Sequence, residues 1–156
     1  MNARTKNLVK KARIIADFQF ARGAGEILFP ENVEFVLSRT RRISQIKTGE
    51  ERIATLRSYD GLFTLSIEGA KRLHQFLRFP ALRVVMNEES SEFVRKGKTA
   101  FCKHVSTADP EIRAYDEVIV VDEQDRLLAT GKAMLAGDEL RSFKHGVAVK
   151  VRQGRG

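Results

Sequence analysis

Residues 116–133, DEVIVVDEQDRLLATGKA, and residues 146–152, GVAVKVR, are the stretches that decide the fold of this 156-residue chain. In the first stretch, the β-branched run Val118–Val121 and the apolar run Leu127–Ala129 flank the polar turn Asp122–Arg126. This arrangement is typical of a β-hairpin. In the second stretch valine recurs at every other position, which predicts a strand with one apolar face and one cationic face.

The sequence around these stretches predicts further short elements. We expect a strand over 82–86, a helix over 91–96 that ends at Gly97, and a second helix over 138–143. Five or six short strands and two small helices within about 75 residues favour a small closed or half-closed β barrel.

The N-terminal half has a different pattern. Leu8, Ala12 and Ile15 recur at i, i+4 and i+7, which predicts an amphipathic helix, and a second helix is expected from Ile67 with Ser66 as its N-cap. Between the helices, β-rich runs predict an antiparallel sheet. These runs are Glu26–Phe29, Val33–Ser38, Arg42–Lys47 and Arg52–Arg57.

Pro80 separates these two regions, and we therefore predict two domains of an α+β protein, residues 1–79 and 80–156. The first is expected to be a small α+β domain, an antiparallel sheet with two helices. The second is expected to be a pseudo-barrel of short strands with two short helices.

Composition and charge exclude several classes of protein. The single cysteine cannot form an internal disulfide, which excludes a disulfide-stapled secreted scaffold and predicts a cytoplasmic protein. No run of apolar residues approaches the roughly 20 that a membrane span needs, so no membrane partner is expected. The net charge is +8. Residues 1–79 hold 15 Lys and Arg against 8 Asp and Glu, a net +7, and residues 80–156 hold 13 against 12, a net +1.

Five blocks in the C-terminal half resemble, in order and spacing, the successive blocks of a PUA domain, the family named after pseudouridine synthases and archaeosine transglycosylases. The blocks are residues 83–87, RVVMN; 92–98, EFVRKGK; 116–122, DEVIVVD; 128–133, LATGKA; and 146–152, GVAVKVR. The resemblance covers residues 80 to 153.

The N-terminal half resembles the small domain that precedes PUA in archaeosine tRNA-guanine transglycosylases. The likeness rests on residues 17–20, DFQF, with Gly23 and Gly25, on residues 38–43, SRTRRI, and on the segment from Leu56 to Ala70. Together the two resemblances imply a stand-alone, archaeal-type version of the C-terminal part of that enzyme. The catalytic barrel of the family needs some 250 residues, so we expect no catalytic residue and no enzymatic activity.

The PUA resemblance implies a set of RNA-binding residues around the first helix of the domain, the following strand and the last strand. They are Arg95, Lys96, Gly97, Lys98, Lys103, Lys150 and Arg152. Glycine at 97 allows close backbone approach, and the neighbouring cations are able to neutralise phosphates. Duplex RNA is recognised largely by shape, so we expect low sequence specificity.

Basic helix faces in the N-terminal half form a secondary candidate surface that would extend the binding of phosphates. They comprise Lys6, Lys10, Arg13, Lys71, Arg72 and Arg78, with Arg39, Arg41 and Arg42 nearby.

Two further features are interpreted as structural. Cys102 and His104, two apart on a predicted strand, lack the further ligands that zinc requires, so we predict no metal site. Phe101 is interpreted as a core residue, like most of the ten phenylalanines, and the alternative is that its ring stacks on a base.

The resemblance therefore implies a non-catalytic protein without cofactors that binds structured RNA. The expected RNA is tRNA near its acceptor stem and 3′ end, and the binding is expected to support RNA modification by a separate enzyme. The alternative is a protein-interaction or assembly subunit that delivers RNA to a separate modifying enzyme or to ribosomal machinery.

Overall fold

A computed structural model describes residues 2–156 and confirms the predicted α+β class. The chain divides into two compact units, one ending at Phe76 and the other beginning at Leu77. Residue 79, where the sequence places the boundary, lies between the last helix of the first unit and the first strand of the second.

The N-terminal unit contains three helices and a four-stranded antiparallel sheet of order β1-β2-β3-β4. Its elements are α1 (Ala3–Gln19), α2 (Ala24–Leu28), β1 (Glu34–Leu37), β2 (Ile43–Thr48), β3 (Glu51–Leu56), β4 (Phe63–Leu65) and α3 (Ile67–Phe76).

Both long helices of this unit begin at side chains that accept hydrogen bonds from free backbone N–H groups, as N-caps do. Asn2 accepts from the Thr5 N–H at 2.8 Å, and Ser66 accepts from the Gly69 N–H at 3.4 Å. The prediction of Ser66 as an N-cap is therefore confirmed. The core between helices and sheet includes Phe29 and Phe63, whose ring centroids are 5.1 Å apart.

The strand predicted over Glu26–Phe29 is wrong, because this segment belongs to helix α2 and its C-cap. Its β-rich composition is overridden by contacts with α1. The Gly25 N–H donates to the Asp17 carboxylate at 2.7 Å, and a Cβ on Gly25 would lie 2.4 Å from the Arg13 carbonyl oxygen. Gly23 begins the helix with a φ of +93°, which favours glycine.

The C-terminal unit contains a six-stranded sheet of order β6-β10-β9-β8-β5-β7, which curls into a nearly closed pseudo-barrel. Its pairs are antiparallel except β5 with β8. Its elements are β5 (Arg83–Met86), α4 (Glu88–Arg95), β6 (Ala100–Phe101), a 3₁₀ helix (Cys102–His104), β7 (Val105–Ala108), β8 (Glu117–Val121), β9 (Leu127–Ala133), α5 (Gly137–Ser142) and β10 (Val147–Gly154).

Two local predictions for this unit need correction. Cys102 and His104 lie on the 3₁₀ helix rather than on a strand. The strict alternation predicted for the last strand fails at its start, where Val147 is exposed and Ala148 is buried. The pairing of β10 with β6 shifts register between Val147 and Val149, and such an irregularity reverses which side chains face the core.

No helix in residues 2–156 is long and apolar enough to cross a membrane.

Candidate nucleic-acid interface

The turn that follows α4 presents a short run of cations on a defined backbone. The Gly97 N–H donates to the Val94 carbonyl at 2.9 Å, and the Lys98 N–H donates to the Phe93 carbonyl at 3.0 Å. These two bonds form a Schellman motif, which requires a residue with positive φ at its centre. Gly97 supplies it with a φ of +97°.

The end of β10 packs directly against this turn. A Cβ on Gly154 would lie 2.2 Å from the Arg95 carbonyl oxygen and 2.6 Å from the Gly97 nitrogen. Beyond the strand, the Gly156 N–H donates to the same Arg95 carbonyl at 2.9 Å. The sequence predicts close backbone approach at Gly97, whereas in the structure Gly154 is the residue of this pair that has no room for a Cβ. Gly97 itself is required by its φ.

The edge of the sheet carries Lys98 and Lys103 at opposite ends of β6. Ala100 pairs with Val149 and Phe101 pairs with Val147, so the antiparallel direction places Lys98 toward the end of β10 and Lys103 toward its beginning. Lys103 is exposed on the 3₁₀ helix, not on a strand. The structure therefore gathers residues 95–98 at the end of β10 and places Lys103 at the far end of the same edge.

Lys150 and Arg152 differ in what their charges contact. Lys150 is exposed and lies opposite Lys132 of β9. Arg152 instead donates through both terminal nitrogens to the two carboxylate oxygens of Glu117, at 2.8 Å from Nη2 to Oε1 and with a shorter contact from Nη1 to Oε2. The Glu117 side chain is fully buried and that of Arg152 is 32% exposed. Arg152 therefore neutralises a buried carboxylate as well as facing solvent.

Exposed aromatic rings lie near these cations, where the sequence predicted core residues. Phe93 on α4 is 63% exposed, and Phe101, interpreted as a core residue, is 45% exposed. Six of the ten phenylalanines are exposed, so the interpretation of most as core residues is wrong. The signal in the sequence is helical: Ser90 and Val94 define the buried side of α4, and Phe93 lies off that side.

A cavity of about 660 Å³ lies on the other side of α4, between the helix, the β8–β9 hairpin and the last residues of the chain. Arg95 and Arg155, together with carboxylates, line it. Asp122 at its wall is buried, which opposes ionisation, but hydrogen bonds from Arg126 and Gln124 and the guanidinium charge of Arg126 outweigh this effect. They hold the pKa of Asp122 below its ordinary value.

The residues of the predicted secondary basic surface fall into two groups in the structure, those whose guanidinium groups bind backbone carbonyls and those whose side chains are exposed or half-buried. Arg13 donates to the Phe29 carbonyl at 2.9 Å, and Arg72 donates to the Leu28 carbonyl at 2.8 Å, so both guanidinium groups bind carbonyls at the end of α2. The exposed members are Lys6 and Lys10 on α1 and Arg78 beyond α3, with Lys71 half-buried on α3.

Residues 2–156 contain no cluster of three or more His, Cys, Asp or Glu side chains able to hold a metal ion. Cys102 is buried, and burial raises the pKa of its thiol. His104 Nδ1 lies 3.2 Å from the Asn87 side-chain amide.

Comparison with known families identifies both units. Residues 82–155 match the PUA domain, and residues 10–80 match the patch-forming domain C2 of tRNA-guanine transglycosylase. The chain is a PUA-domain protein with a C2 domain. The predicted resemblance to both domains is thus confirmed.

Curated relatives extend this match over nearly the whole chain. The PUA-domain protein is 50% identical over 149 residues to the tRNA-guanine(15) transglycosylase of Pyrococcus furiosus, which covers 96% of the chain and 25% of that enzyme. It is 51% identical over 146 residues to the enzyme of Thermococcus kodakarensis, covering 93% of the chain and 25% of the enzyme. The chain spans about a quarter of the length of these relatives and corresponds to their C-terminal portion.

Solved structures confirm the fold. A hypothetical protein from Pyrococcus horikoshii superimposes with a TM-score of 0.73 at 22% identity, covering 96% of this PUA-domain protein and 90% of the other chain. A conserved PUA domain protein from Thermoplasma acidophilum gives a TM-score of 0.63 at 16% identity, covering 97% and 91%.

Proposed function

We propose that this chain is a non-catalytic, cytoplasmic RNA-binding protein that holds structured RNA, most specifically tRNA at its acceptor stem and 3′ end. The observation that carries the proposal is the packing of the cationic turn at Lys96–Lys98 against the end of β10. It fixes the backbone of the turn that carries Lys96 and Lys98, and exposed rings lie on the helix before this turn and on the strand after it.

The rigidity of this edge favours binding by shape. The Schellman hydrogen bonds and the Gly154 packing hold the backbone of the turn, so few degrees of freedom are lost when phosphates bind. Lys96 and Lys98 supply charge, and Phe93 and Phe101 supply exposed ring faces on which unpaired bases stack. Cations beside stacking faces suit the junction between a duplex and a single strand, which is the form of a tRNA acceptor end.

A charge reversal on the turn tests this proposal. Lys96→Glu with Lys98→Glu is expected to weaken binding of tRNA whatever its sequence. The salt slope, which is the slope of log affinity against log salt concentration, is expected to fall in magnitude by roughly one unit for each phosphate that is no longer neutralised. Arg113→Glu with Arg141→Glu makes the same change in net charge at exposed positions outside this edge and is the matched control. Equal loss of affinity in both variants would show that only net charge matters and would contradict the proposal.

A second candidate function is an assembly subunit that delivers RNA to a separate modifying enzyme. Exposed apolar side chains on α1 favour it: Ile14 is 59% exposed and Phe18, one helical turn further on, is 83% exposed. Recovery of a protein partner from native extract after nuclease treatment, and its loss in the Phe18→Ser variant, tests this function. Co-purification that disappears with nuclease would exclude it.

A further inference from the structure

One end of the four-stranded sheet carries a second concentration of cations, distant in the sequence from the PUA domain. The β1–β2 loop holds Arg39, Arg41 and Arg42, all exposed. Because β2 and β3 are antiparallel and Leu56 pairs with Phe63, the β3–β4 loop emerges at the same end of the sheet. Two loops of the C2 domain therefore lie at the same end of the sheet.

The charge at this sheet end is uncompensated. Within residues 2–156, none of the arginines Arg39, Arg41 and Arg42 forms an ion pair. The two loops together contain a single carboxylate, Asp60. Its oxygens accept from Arg57 at 3.1 and 2.7 Å. The three loop arginines thus face solvent without a neutralising partner.

The β3–β4 loop presents an exposed aromatic ring at the same end of the sheet as these charges. Tyr59 is 76% exposed, and the Arg57 guanidinium lies 5.3 Å from the centroid of its ring. The loop is rigid, because Asp60 also accepts from the Leu62 N–H at 3.0 Å and the Arg57 N–H donates to the Leu62 carbonyl at 2.8 Å. An exposed ring and unpaired guanidinium groups at one end of a sheet are able to bind an unpaired base together with its flanking phosphates.

We propose that this sheet end is a second nucleic-acid site, in which Tyr59 stacks on an unpaired base and Arg39 and Arg42 bind the flanking phosphates. The ligand class is single-stranded or looped RNA. The proposal deepens the RNA-binding function above and rests on it, adding a binding surface from the C2 domain that does not depend on the turn at Lys96–Lys98.

Two variants of the full chain test the parts of the site separately, with an unstructured oligouridine and a tRNA transcript as probes. Tyr59→Leu is expected to weaken oligouridine binding roughly five-fold or more with an unchanged salt slope, since the variant removes stacking and leaves phosphate binding intact. Tyr59→Phe keeps the ring and is expected to bind like the parent protein.

Arg39→Gln with Arg42→Gln is expected to lower the salt slope by roughly one unit for each phosphate that the two arginines neutralise in the parent protein. The matched control is Lys47→Gln with Arg52→Gln, because these two residues pair at the opposite end of the same sheet and carry the same charge. Circular dichroism of each variant serves as the control that the variant is folded.

The turn variant Lys96→Glu with Lys98→Glu, measured in parallel, separates this site from the proposed function. If the turn variant alone loses affinity, the sheet end is not an RNA site, and if the sheet-end variants alone lose affinity, the site on the PUA domain is wrong. Oligoglutamate binding as tight as oligouridine binding, with no effect of Tyr59→Leu, would overturn the proposal in favour of an acidic protein ligand.

Discussion

The backbones of Gly154 and Arg95 touch, so that a methyl group on Gly154 would lie 2.2 Å from the Arg95 carbonyl oxygen. This packing joins the last strand of the PUA domain to the end of its first helix. It also fixes the cationic turn that we propose binds RNA.

Replacement of Gly154 by Ala is therefore expected to destabilise the protein. Its nearest neighbours are backbone atoms, which cannot rotate away, so we expect a loss of about 1–3 kcal/mol in the free energy of unfolding. Urea denaturation measures this loss. Lys150→Ala, an exposed change on the same strand, is expected to stay within about 0.5 kcal/mol, and an equal effect of the two would show that the close approach imposes no steric demand.

Arg152→Met is expected to destabilise the protein by about 2–3 kcal/mol, because it leaves the buried Glu117 carboxylate without its guanidinium partner. The expected loss lies at the low end for buried pairs because part of the Arg152 side chain is solvated. In a double-mutant cycle by denaturant unfolding, Glu117→Gln is expected to cancel part of the loss. Additive losses would mean that the two side chains are not coupled.

Asp122→Asn is expected to lower stability by about 2 kcal/mol at neutral pH, since hydrogen bonds to a charged acceptor are removed. The native state holds the pKa of Asp122 below its ordinary value, so the stabilisation is fully present above the unfolded pKa of about 3.9. It disappears as the pH falls through the lower native pKa. Unfolding measured from pH 7 downward should therefore show the parent and variant converging in acid, and a constant difference would contradict this assignment.

Cys102 is expected to react slowly with a thiol-exchange reagent in the native protein, because it is buried and burial raises the pKa of its thiol. Labelling should accelerate to the rate of a free thiol in denaturant. The native rate then reports opening around β6 and the 3₁₀ helix, and fast labelling without denaturant would show that this edge opens readily.

Removal of the single-stranded 3′ end from tRNA is expected to reduce affinity, because the exposed rings at Phe93 and Phe101 would lose the bases on which they stack. Titration of intact and trimmed transcripts measures the effect. Phe93→Ser should weaken binding of intact tRNA and leave trimmed tRNA unaffected. Equal affinity of the parent protein for both transcripts would place the binding elsewhere on the RNA.

Local patterns were sufficient for most of the elements. β-rich runs around a polar turn predicted the β8–β9 hairpin, and helical periodicity predicted α1 and α3, the latter with Ser66 as its N-cap. They failed at α2, where residues with β propensity form a helix because Gly25 packs against the backbone of Arg13. Propensity is a weak local preference that such tertiary packing overrides.

In the candidate site, too, some features follow from local sequence patterns and others from tertiary packing. The cations at 95–98 and the glycine between them are visible in the sequence, since a helix end with Gly at its C′ position is a local signal. The exposure of Phe93 follows from its place off the buried side of α4, whereas the steric demand on Gly154 is set by the backbone of Arg95, far along the chain, and no local pattern reports it.

The sequence by itself determined the order of most strands and helices and the cationic turn, because these depend on spacing within a few residues, and it determined the two domain families through their resemblance to known proteins. Only the tertiary structure decided which charges are available. In the structure Arg152 binds the buried Glu117, and Arg13 and Arg72 donate to carbonyls at the end of α2. Arg39 and Arg42 remain exposed at the same sheet end as Tyr59. Whether a charge is neutralised or exposed depends on the groups that pack against it, and these groups come from residues distant in the sequence.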